Sequence, residues 1–261
     1  MKRIKTLKPT PLFYAPDIDD LPILPEGEAV HALRVLRLQE GSEITVTDGK
    51  GFFYLATIWQ ADPRQCEVTV LKRWQPEPAV CRIHLAVAPT KHAERMEWMV
   101  EKATEIGIDA VTLLNCHFSE RREMKTFRLE KAAVSAMKQS QRAFLPALTG
   151  MTLFCTFIGQ PFDGRKFIAC YNEKDRMQKP LLSQLYHPGE HALILIGPEG
   201  GFSPEEIIQA MESGFMPVSL GPSRLRTETA ALVACHTVHV LNQEKEIQKI
   251  SSQPCQEENR V

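Results

Sequence analysis

Two segments of the sequence combine a glycine-proline pair with charged side chains directly after an apolar run: LIGPEGGFSPEE at 195–206 and SLGPSRLRTETAAL at 219–232. In the second segment, Arg226 and Glu228 stand at the start of a helix that the pattern predicts over 228–241. That helix is apolar on nearly every face, so we expect it to be deeply buried. Charged groups at its start are costly unless they are paired or functional. A guanidinium group there could stabilise an anion that forms during a reaction.

A structural role would account for part of the second segment. Thr227 could cap the helix, and Glu228 could complement the helix dipole or pair with Arg226. The capping interpretation does not explain why two arginines, Arg224 and Arg226, precede the helix.

The first segment does not match the usual phosphate-binding loops, because its glycines have neither the P-loop nor the dinucleotide-fold spacing. Ser203 and Glu206 predict a capping box, with Pro204 at the first helical position. The carboxylates of the helix would then occupy the end that attracts anions. We therefore expect a ligand without phosphate, bearing a positive charge that Glu199 would favour. The alternative is that the segment is only a tight turn after a strand.

The overall composition is that of a globular protein, with 43% hydrophobic residues, 24% charged residues and a net charge of −1 over 261 residues. No apolar run approaches the roughly 18 residues of a membrane span, and the basic start lacks the apolar stretch of a signal peptide. The seven cysteines are scattered, which is typical of reduced thiols. We expect a cytoplasmic protein with no membrane association.

The charge is unevenly distributed along the chain. Between residues 120 and 142 there are seven basic residues against three acidic ones. Runs of charge are often only solvated surfaces, but separated basic patches also indicate a polyanionic partner.

The chain changes character at KRWQPEPAV, 72–80, where two prolines predict a linker. Before it, a helix over 28–38, short strands and a hairpin signal at 48–51 predict a small β-barrel. After it, strands alternate with helices, which predicts a mostly parallel sheet covered by helices. The predicted strands there are 83–88, 111–114, 167–171, 193–196 and 217–220, and the helices before the last one are 93–106 and 129–141. Ligands bind at the carboxyl ends of such strands, where the segment 195–206 lies.

The two signature segments together resemble those of the RsmE family, the small-subunit rRNA uridine N3-methyltransferases of the SPOUT class. HALRVLR resembles the N-terminal helix of that family, and KHAERMEWMVEKATEIGID resembles its first methyltransferase helix. SERR and KQSQRAFLP fall where the family places an arginine-containing loop and a Gln-x-x-Arg segment. The resemblance covers most of the chain.

The resemblance implies an α/β fold class, in which a SPOUT-type knotted parallel-sheet domain follows a small PUA-like β-barrel. The expected boundaries are 1–73 for the barrel, with 1–10 as an extension, 74–245 for the methyltransferase domain and 246–261 for a polar tail. The implied methyl donor is S-adenosylmethionine (SAM), which carries a sulfonium and no phosphate. The implied partners are 16S rRNA or the small ribosomal subunit and a second copy of the chain.

The two glycine-proline turns are expected to hold SAM. The residues assigned to this role are Leu195, Ile196, Gly197, Glu199, Gly200, Gly201, Leu220, Gly221, Leu225, Arg226 and Thr227. Methylation at uracil N3 requires loss of a proton from an unpaired base, and our candidates for stabilising the resulting charge are Arg226 and Arg121. No general base is assigned. His236 and His239 lack a third ligand, so we expect core or interface histidines and no metal site.

For RNA binding, His31, Arg34 and Arg37 recur on one face of the first helix, opposite an apolar face. A solvated helix face is the alternative. Together with Gln139 and Arg142, at the end of the basic stretch, these residues favour RNA contact. The remaining alternatives are a SPOUT methyltransferase for another nucleotide, an RNA-binding protein without catalysis, and a nucleotide-dependent α/β enzyme.

Overall fold

The computed structural model describes residues 10–77, 79, 81–170 and 179–251. Residues 1–9 of the expected extension and 252–261 of the expected tail lie outside this part of the chain. The chain divides into two compact units, each described here by itself. The first contains the described residues up to 77 together with Ala133–Leu145, and the second contains Ala79–Ala132 and the residues from Pro146 onwards.

The first unit is built on five strands and a short helix. They are β1 (Leu12–Tyr14), β2 (Ile23–Leu24), α1 (Glu26–Val30), β3 (Glu43–Thr47), β4 (Phe53–Gln60) and β5 (Cys66–Trp74). The strands form one sheet in the order β1-β3-β4-β5-β2. Alternate residues of β4, namely Tyr54, Ala56 and Ile58, are buried in the core, as the period of a strand requires. Two register shifts between β4 and β5 bend the sheet around this core.

The first helix differs from the prediction of a regular helix over 28–38. After α1 the chain forms a π-helical turn over His31–Val35, in which the amide of Leu36 donates to the carbonyl oxygen of His31. Arg37 then has a positive φ of 56°, so it has left the helix. The wider turn changes which residues face inward.

The apolar face expected on that helix, Val30, Leu33 and Leu36, forms only in part: Val30 and Leu33 are half-buried and Leu33 packs against the core, whereas Leu36 is exposed. The side chains that are buried are those of Ala29 and Ala32. The apolar side chain of Val35 is 65% exposed, and that of Leu36 is exposed as well. Two alanines allow the backbone to lie close to the core, a contact that the spacing of larger apolar residues did not indicate.

The hairpin predicted at 48–51 is confirmed, and it has a second role. The carboxylate of Asp48 accepts from the amides of Lys50 and Phe52, at 2.8 and 3.0 Å, and fixes the turn between β3 and β4. The amide of Gly51 donates to the carbonyl oxygen of Ala143, and that of Leu145 donates to Gly49. The hairpin therefore anchors Ala133–Leu145 to the first unit.

The second unit contains a sheet of six strands in the order β11-β9-β10-β6-β7-β8, with every neighbouring pair parallel. Its strands are β6 (Ile83–Val87), β7 (Ala110–Asn115), β8 (Ala147–Leu153), β9 (Arg165–Ala169), β10 (Ala192–Ile196) and β11 (Met216–Val218). The predicted parallel sheet is confirmed. The edge strand β8 was missed because it has no apolar run: its sequence ALTGMTL is mostly half-exposed.

Helices connect these strands. They are α2 (Ala93–Ile106), α3 (Phe127–Gln139), α4 (Phe154–Ile158), α5 (Leu182–Leu185), α6 (Pro204–Glu212) and α7 (Thr227–Ser251). The bounds of α2 agree with the prediction, whereas the short helices α4 and α5 were missed. None of the helices in the described ranges is long and apolar enough to cross a membrane.

Helix α7 is longer and less buried than expected. It continues to Ser251, and its fully buried positions Ala231, Ala234, Cys235 and Val238 form one helical stripe. His236 is exposed in the single chain, so of the two positions expected for it, core or interface, the core position was wrong and the interface position stays a prediction. The expectation of burial on nearly every face was also wrong, because α7 packs along one side only.

We expect Gly164→Ala to destabilise the second unit, because a Cβ at this position would overlap the carbonyl oxygen of His191. That oxygen accepts from the amide of Arg165 at 2.8 Å, so it cannot move freely. The cost should be about 1–3 kcal/mol, measured as a lower urea midpoint by circular dichroism.

Gly214→Ala is the matched control. Gly214 also has a positive φ, of 85°, but a Cβ there would meet no atom nearer than the Cε of Lys166, at 4.0 Å. The variant should lose only about 1 kcal/mol of stability, because a Cβ strains a backbone with positive φ. Equal urea midpoints for the two variants would contradict the crowding argument.

Candidate functional site

The candidate site lies at the carboxyl edge of the parallel sheet. In the sheet order, β10 lies next to β6, and β6 lies next to β7. The loops that follow these strands are 197–203, 88–92 and 116–126, and parallel strands present such loops at one edge. The segment 219–226, which follows β11, joins them there, as the contacts below establish.

A cavity of about 560 Å³ opens at this edge. Ten of the eleven residues predicted to hold the cofactor line it. They are Ile196, Gly197, Glu199, Gly200, Gly201, Leu220, Gly221, Leu225, Arg226 and Thr227. The eleventh, Leu195, is fully buried in the apolar cluster beneath the sheet edge. The two glycine-proline segments therefore form one cavity, although 24 positions separate their glycines, Gly197 and Gly221.

Hydrogen bonds join the two turns directly. The hydroxyl of Thr227 donates to the carbonyl oxygen of Gly197 at 3.0 Å. A guanidinium nitrogen of Arg224 donates to the carbonyl oxygen of Glu199 at 3.3 Å. Thr227 is the first residue of α7 rather than the residue before it, so the cap expected there was wrong, and its hydroxyl donates to the neighbouring turn.

The predicted capping box at the start of α6 is confirmed. The hydroxyl of Ser203 accepts from the amide of Glu206, and the Oε2 of Glu206 accepts from the amide of Ser203 at 2.9 Å. The Oε1 of the same carboxylate accepts from the amide of His117 at 2.8 Å. Glu206 is 7% exposed, so this buried side chain ties the loop after β7 to the start of α6. The anion-attracting end of the helix is thus occupied.

The charged residues at the start of α7 have different surroundings. Glu228 is buried, and its Oε1 lies 3.8 Å from the Nε of Arg95, so it pairs with α2 rather than with Arg226. Its Oε2 has no hydrogen-bond donor in the described ranges. Arg226 is exposed and lines the cavity. No ion pair of Arg226 occurs among the residues that the structure describes, which leaves its charge available.

Arg121 is placed beside the cavity wall rather than in it. One of its terminal nitrogens donates to the carbonyl oxygen of Lys91 at 2.6 Å. The amide of Lys91 in turn donates to the Oε1 of Glu199 at 3.1 Å. The Nε of Arg121 is buried without a partner within the described part of the chain. Arg121 is therefore connected to the cavity through one residue, Lys91.

The wall of the cavity that β9 and its neighbours provide was not predicted. The additional lining residues are Ala169, Cys170, Pro198, Phe202, Ile207, Val218, Ser219, Ser223, Arg224 and Ala230. Burial raises the pKa of the Cys170 thiol to about 11, so this group is protonated at neutral pH. Cys170 lies near the carboxyl end of the predicted strand 167–171, and this position was the signal that could have identified it.

The residues predicted to contact RNA all lie in the first unit, because Ala133–Leu145 belongs to it. His31, Arg34, Arg37 and Gln139 are exposed. Arg142 is half-buried and makes contacts with its surroundings. An ion pair between Glu28 of α1 and Lys138 of α3 links the two parts of this set. The expected helical stripe is interrupted at Arg37, which has left the helix.

Metal-ligating side chains do not cluster in the described ranges: no group of three or more His, Cys, Asp or Glu residues there could hold a metal ion. His236 and His239, which the sequence places three positions apart on α7, differ in exposure, since His236 is exposed and His239 is half-buried and has a partner.

Comparison with known proteins agrees with this geometry. An RNA methyltransferase domain family matches residues 76–239, and an RNA methyltransferase PUA domain matches residues 24–71. The chain is 30% identical to ribosomal RNA small subunit methyltransferase E of Mycobacterium bovis, over 88% of this chain and 91% of that protein. It is 27% identical to the protein of the same name from Bacillus subtilis, over 81% of this chain and 87% of that protein.

Two solved structures extend the comparison. A probable rRNA-methyltransferase from Porphyromonas gingivalis has a TM-score of 0.85 and 48% identity, over 90% of this chain and 99% of that chain. A ribosomal RNA small subunit methyltransferase E from Neisseria gonorrhoeae, solved with bound S-adenosyl methionine, has a TM-score of 0.78 and 28% identity, over 89% of this chain and 98% of that chain. The fold is thus that of the SPOUT-class methyltransferases with a PUA domain, and the chain belongs to the RsmE family of RNA methyltransferases.

Proposed function

We propose that this protein transfers a methyl group from SAM to N3 of a uracil in small-subunit (16S) ribosomal RNA. The observation that carries the proposal is the single cavity that both signature segments line at the carboxyl edge of the sheet. Family membership supports the reaction, and the names of the relatives point to the ribosomal small subunit. The position on the base follows from the RsmE family.

The cavity fits SAM in size and chemistry. Its volume of about 560 Å³ lies within the roughly 300–1,000 Å³ of small-molecule sites. Ile196, Leu220 and Leu225 offer apolar surface for an adenine ring, and the backbone of the two turns offers hydrogen-bonding groups. The carboxylate of Glu206 already fills the anion-binding end of α6. A ligand without phosphate suits this lining better than a nucleotide does.

When bound, SAM supplies an electrophilic methyl group on its sulfonium sulfur. The contribution of the chain is to position the base and to stabilise the charge that develops as the N3 proton leaves. Arg226 is suited to this role, because it lines the cavity with no ion pair among the described residues. Cys170, whose pKa is raised to about 11, holds its proton at neutral pH and is not the base that removes the N3 proton.

RNA contact is assigned to the first unit. His31, Arg34 and Arg37 lie on or directly after the π-helical turn, and Gln139 and Arg142 lie in the segment that the β3–β4 hairpin anchors. Phosphate contacts by such residues would orient the RNA, whose target base must leave its stack to react.

We also propose that the protein acts as a homodimer in the cytoplasm. In the single chain α7 buries one stripe, while the apolar residues Leu232, Val233, Val240 and Leu241 are only half-buried. A second copy packed on α7 would cover them. The cytoplasmic location follows from ribosomal RNA as the substrate.

The reaction is tested by incubating the purified protein with SAM and either free 16S rRNA or small subunits that lack the modification. Mass spectrometry of the nucleosides should detect 3-methyluridine, and calorimetry should detect binding of SAM or S-adenosylhomocysteine but no comparable binding of ATP or NAD. Methylation of another nucleoside would favour a different SPOUT specificity. RNA binding without methylation or SAM affinity would indicate a non-catalytic RNA-binding protein.

Arg226→Ala should slow methyl transfer much more than it weakens RNA binding. Loss of one preorganised charged contact typically raises the barrier by about 2–4 kcal/mol, which single-turnover rates at saturating SAM and RNA would report. Raising the pH should partly restore the rate, because hydroxide then helps to form the N3 anion that Arg226 no longer stabilises.

Arg82→Ala is the control for Arg226→Ala. It removes one exposed arginine of the same unit, directly before the start of β6 and thus at the opposite edge of the sheet. Unchanged single-turnover rates in Arg226→Ala would remove this residue from the mechanism and shift the role to Arg121.

Arg34→Ala should weaken RNA binding and reduce its salt dependence while leaving SAM affinity intact, because Arg34 lies in the first unit. Loss of one phosphate contact lowers the slope of log K against log salt by about 1. Fluorescence polarisation with a labelled 16S rRNA fragment measures this slope. Arg64→Ala removes an exposed arginine of the same unit outside both RNA-contact segments, and an equal change in that variant would speak against a specific interface.

A further inference from the structure

Glu199 has a structural contact that its predicted role does not explain. The sequence suggests that its carboxylate favours a positively charged ligand. In the structure, its Oε1 accepts from the backbone amide of Lys91 at 3.1 Å, while its carbonyl oxygen accepts from Arg224 at 3.3 Å. Glu199 thus joins its own turn to the loop after β6 and to the segment after β11.

The contact of Glu199 restrains the loop after β6 at Lys91, which is exposed, whereas Ala88 and Thr90 are buried. The first residue of the loop is held by the sheet, since the amide of Ala88 donates to the carbonyl oxygen of Ile196 at 2.9 Å. Beyond that, the hydroxyl of Thr90 bonds within the loop, to the carbonyl oxygen of His92. The side chain of Lys91 forms an exposed ion pair with Glu120 at 3.6 Å, which contributes little. The bond from a carboxylate to the amide is the stronger restraint.

Lys91 in turn holds Arg121. The carbonyl oxygen of Lys91 accepts from the Nη2 of Arg121 at 2.6 Å. The Nε of the same guanidinium is buried with no acceptor in the described ranges. A displacement of Lys91 would therefore break this hydrogen bond and leave the guanidinium of Arg121 free to move.

We propose that Glu199 is a positioning residue that fixes Arg121 through the backbone of Lys91. The methyl-donor cavity and the arginine on the loop after β7 then behave as one hydrogen-bonded unit. The inference rests on the proposed function, because it assigns Arg121 a part in methyl transfer. It differs from a direct role of Glu199, in which the negative charge itself would attract the sulfonium.

Two substitutions separate these roles. Glu199→Gln keeps an oxygen that can accept from the amide of Lys91 but removes the charge, whereas Glu199→Ala removes both. We expect Glu199→Ala to lower the single-turnover rate by about tenfold to a hundredfold while changing the Kd of SAM by less than about threefold. Glu199→Gln should recover most of the lost rate. If Gln and Ala weaken SAM binding equally, the direct charge role is correct and the proposal is overturned.

Coupling to Arg121 gives an independent measurement. In a double-mutant cycle, Glu199→Ala should have little further effect on the rate once Arg121 is alanine, whereas additive losses would overturn the proposal. Glu120→Ala is the matched control, because it removes a carboxylate that, among the described residues, pairs with the side chain of Lys91 and not with its backbone. It should not reproduce the loss seen in Glu199→Ala.

Hydrogen exchange of the Lys91 amide tests the contact with Glu199 independently of methyl transfer. The Lys91 amide should exchange at least about tenfold faster in Glu199→Ala than in the unmodified protein or in Glu120→Ala. If the unmodified protein fails to methylate 16S rRNA, the proposed function fails, yet faster exchange would still support the Glu199–Lys91 restraint. Unchanged exchange in an active protein would overturn the positioning role alone.

Discussion

The register of the parallel sheet is the constraint on which the site depends. Ile196 lies level with Val87 of β6 on one side and with Ala169 of β9 on the other, and Val218 of β11 lies level with Ala169. Four strands therefore end at the same height. Every residue of β10 is buried, so a shift of this strand by one residue would turn its apolar side chains to other surroundings. Burial thereby fixes the edge at which the two glycine-proline turns, after β10 and β11, begin.

Within that register, the local sequence determines the conformation of several loops. The capping box of Ser203 and Glu206 could be predicted because its parts lie three residues apart, and its geometry does not depend on the rest of the chain. The turn at 48–51 could be predicted for the same reason. The sheet, α2 and both glycine-proline turns also follow from local patterns, because apolar periodicity and turn residues act over a few positions.

The partners of the charged residues could not be predicted in this way. Glu228 meets Arg95, and Thr227 donates to Gly197, and each pair joins residues that are far apart in sequence. Arg37 lost its place in a helical stripe because a π-helical turn intervened, a deviation that no simple spacing indicates. Polar contacts of this kind depend on three-dimensional placement, whereas a hydrophobic period depends only on the element.

The distribution of charge around the cavity follows from the cost of burying it. Glu206 is buried, but its two oxygens accept hydrogen bonds from backbone amides on two segments, which offset the loss of water. The half-buried thiol of Cys170, whose pKa desolvation raises, avoids the cost by staying protonated. Arg226 remains exposed to solvent at the cavity and forms no ion pair with the residues that the structure describes. A positive charge is thus present at the cavity, where a reacting anion would need it.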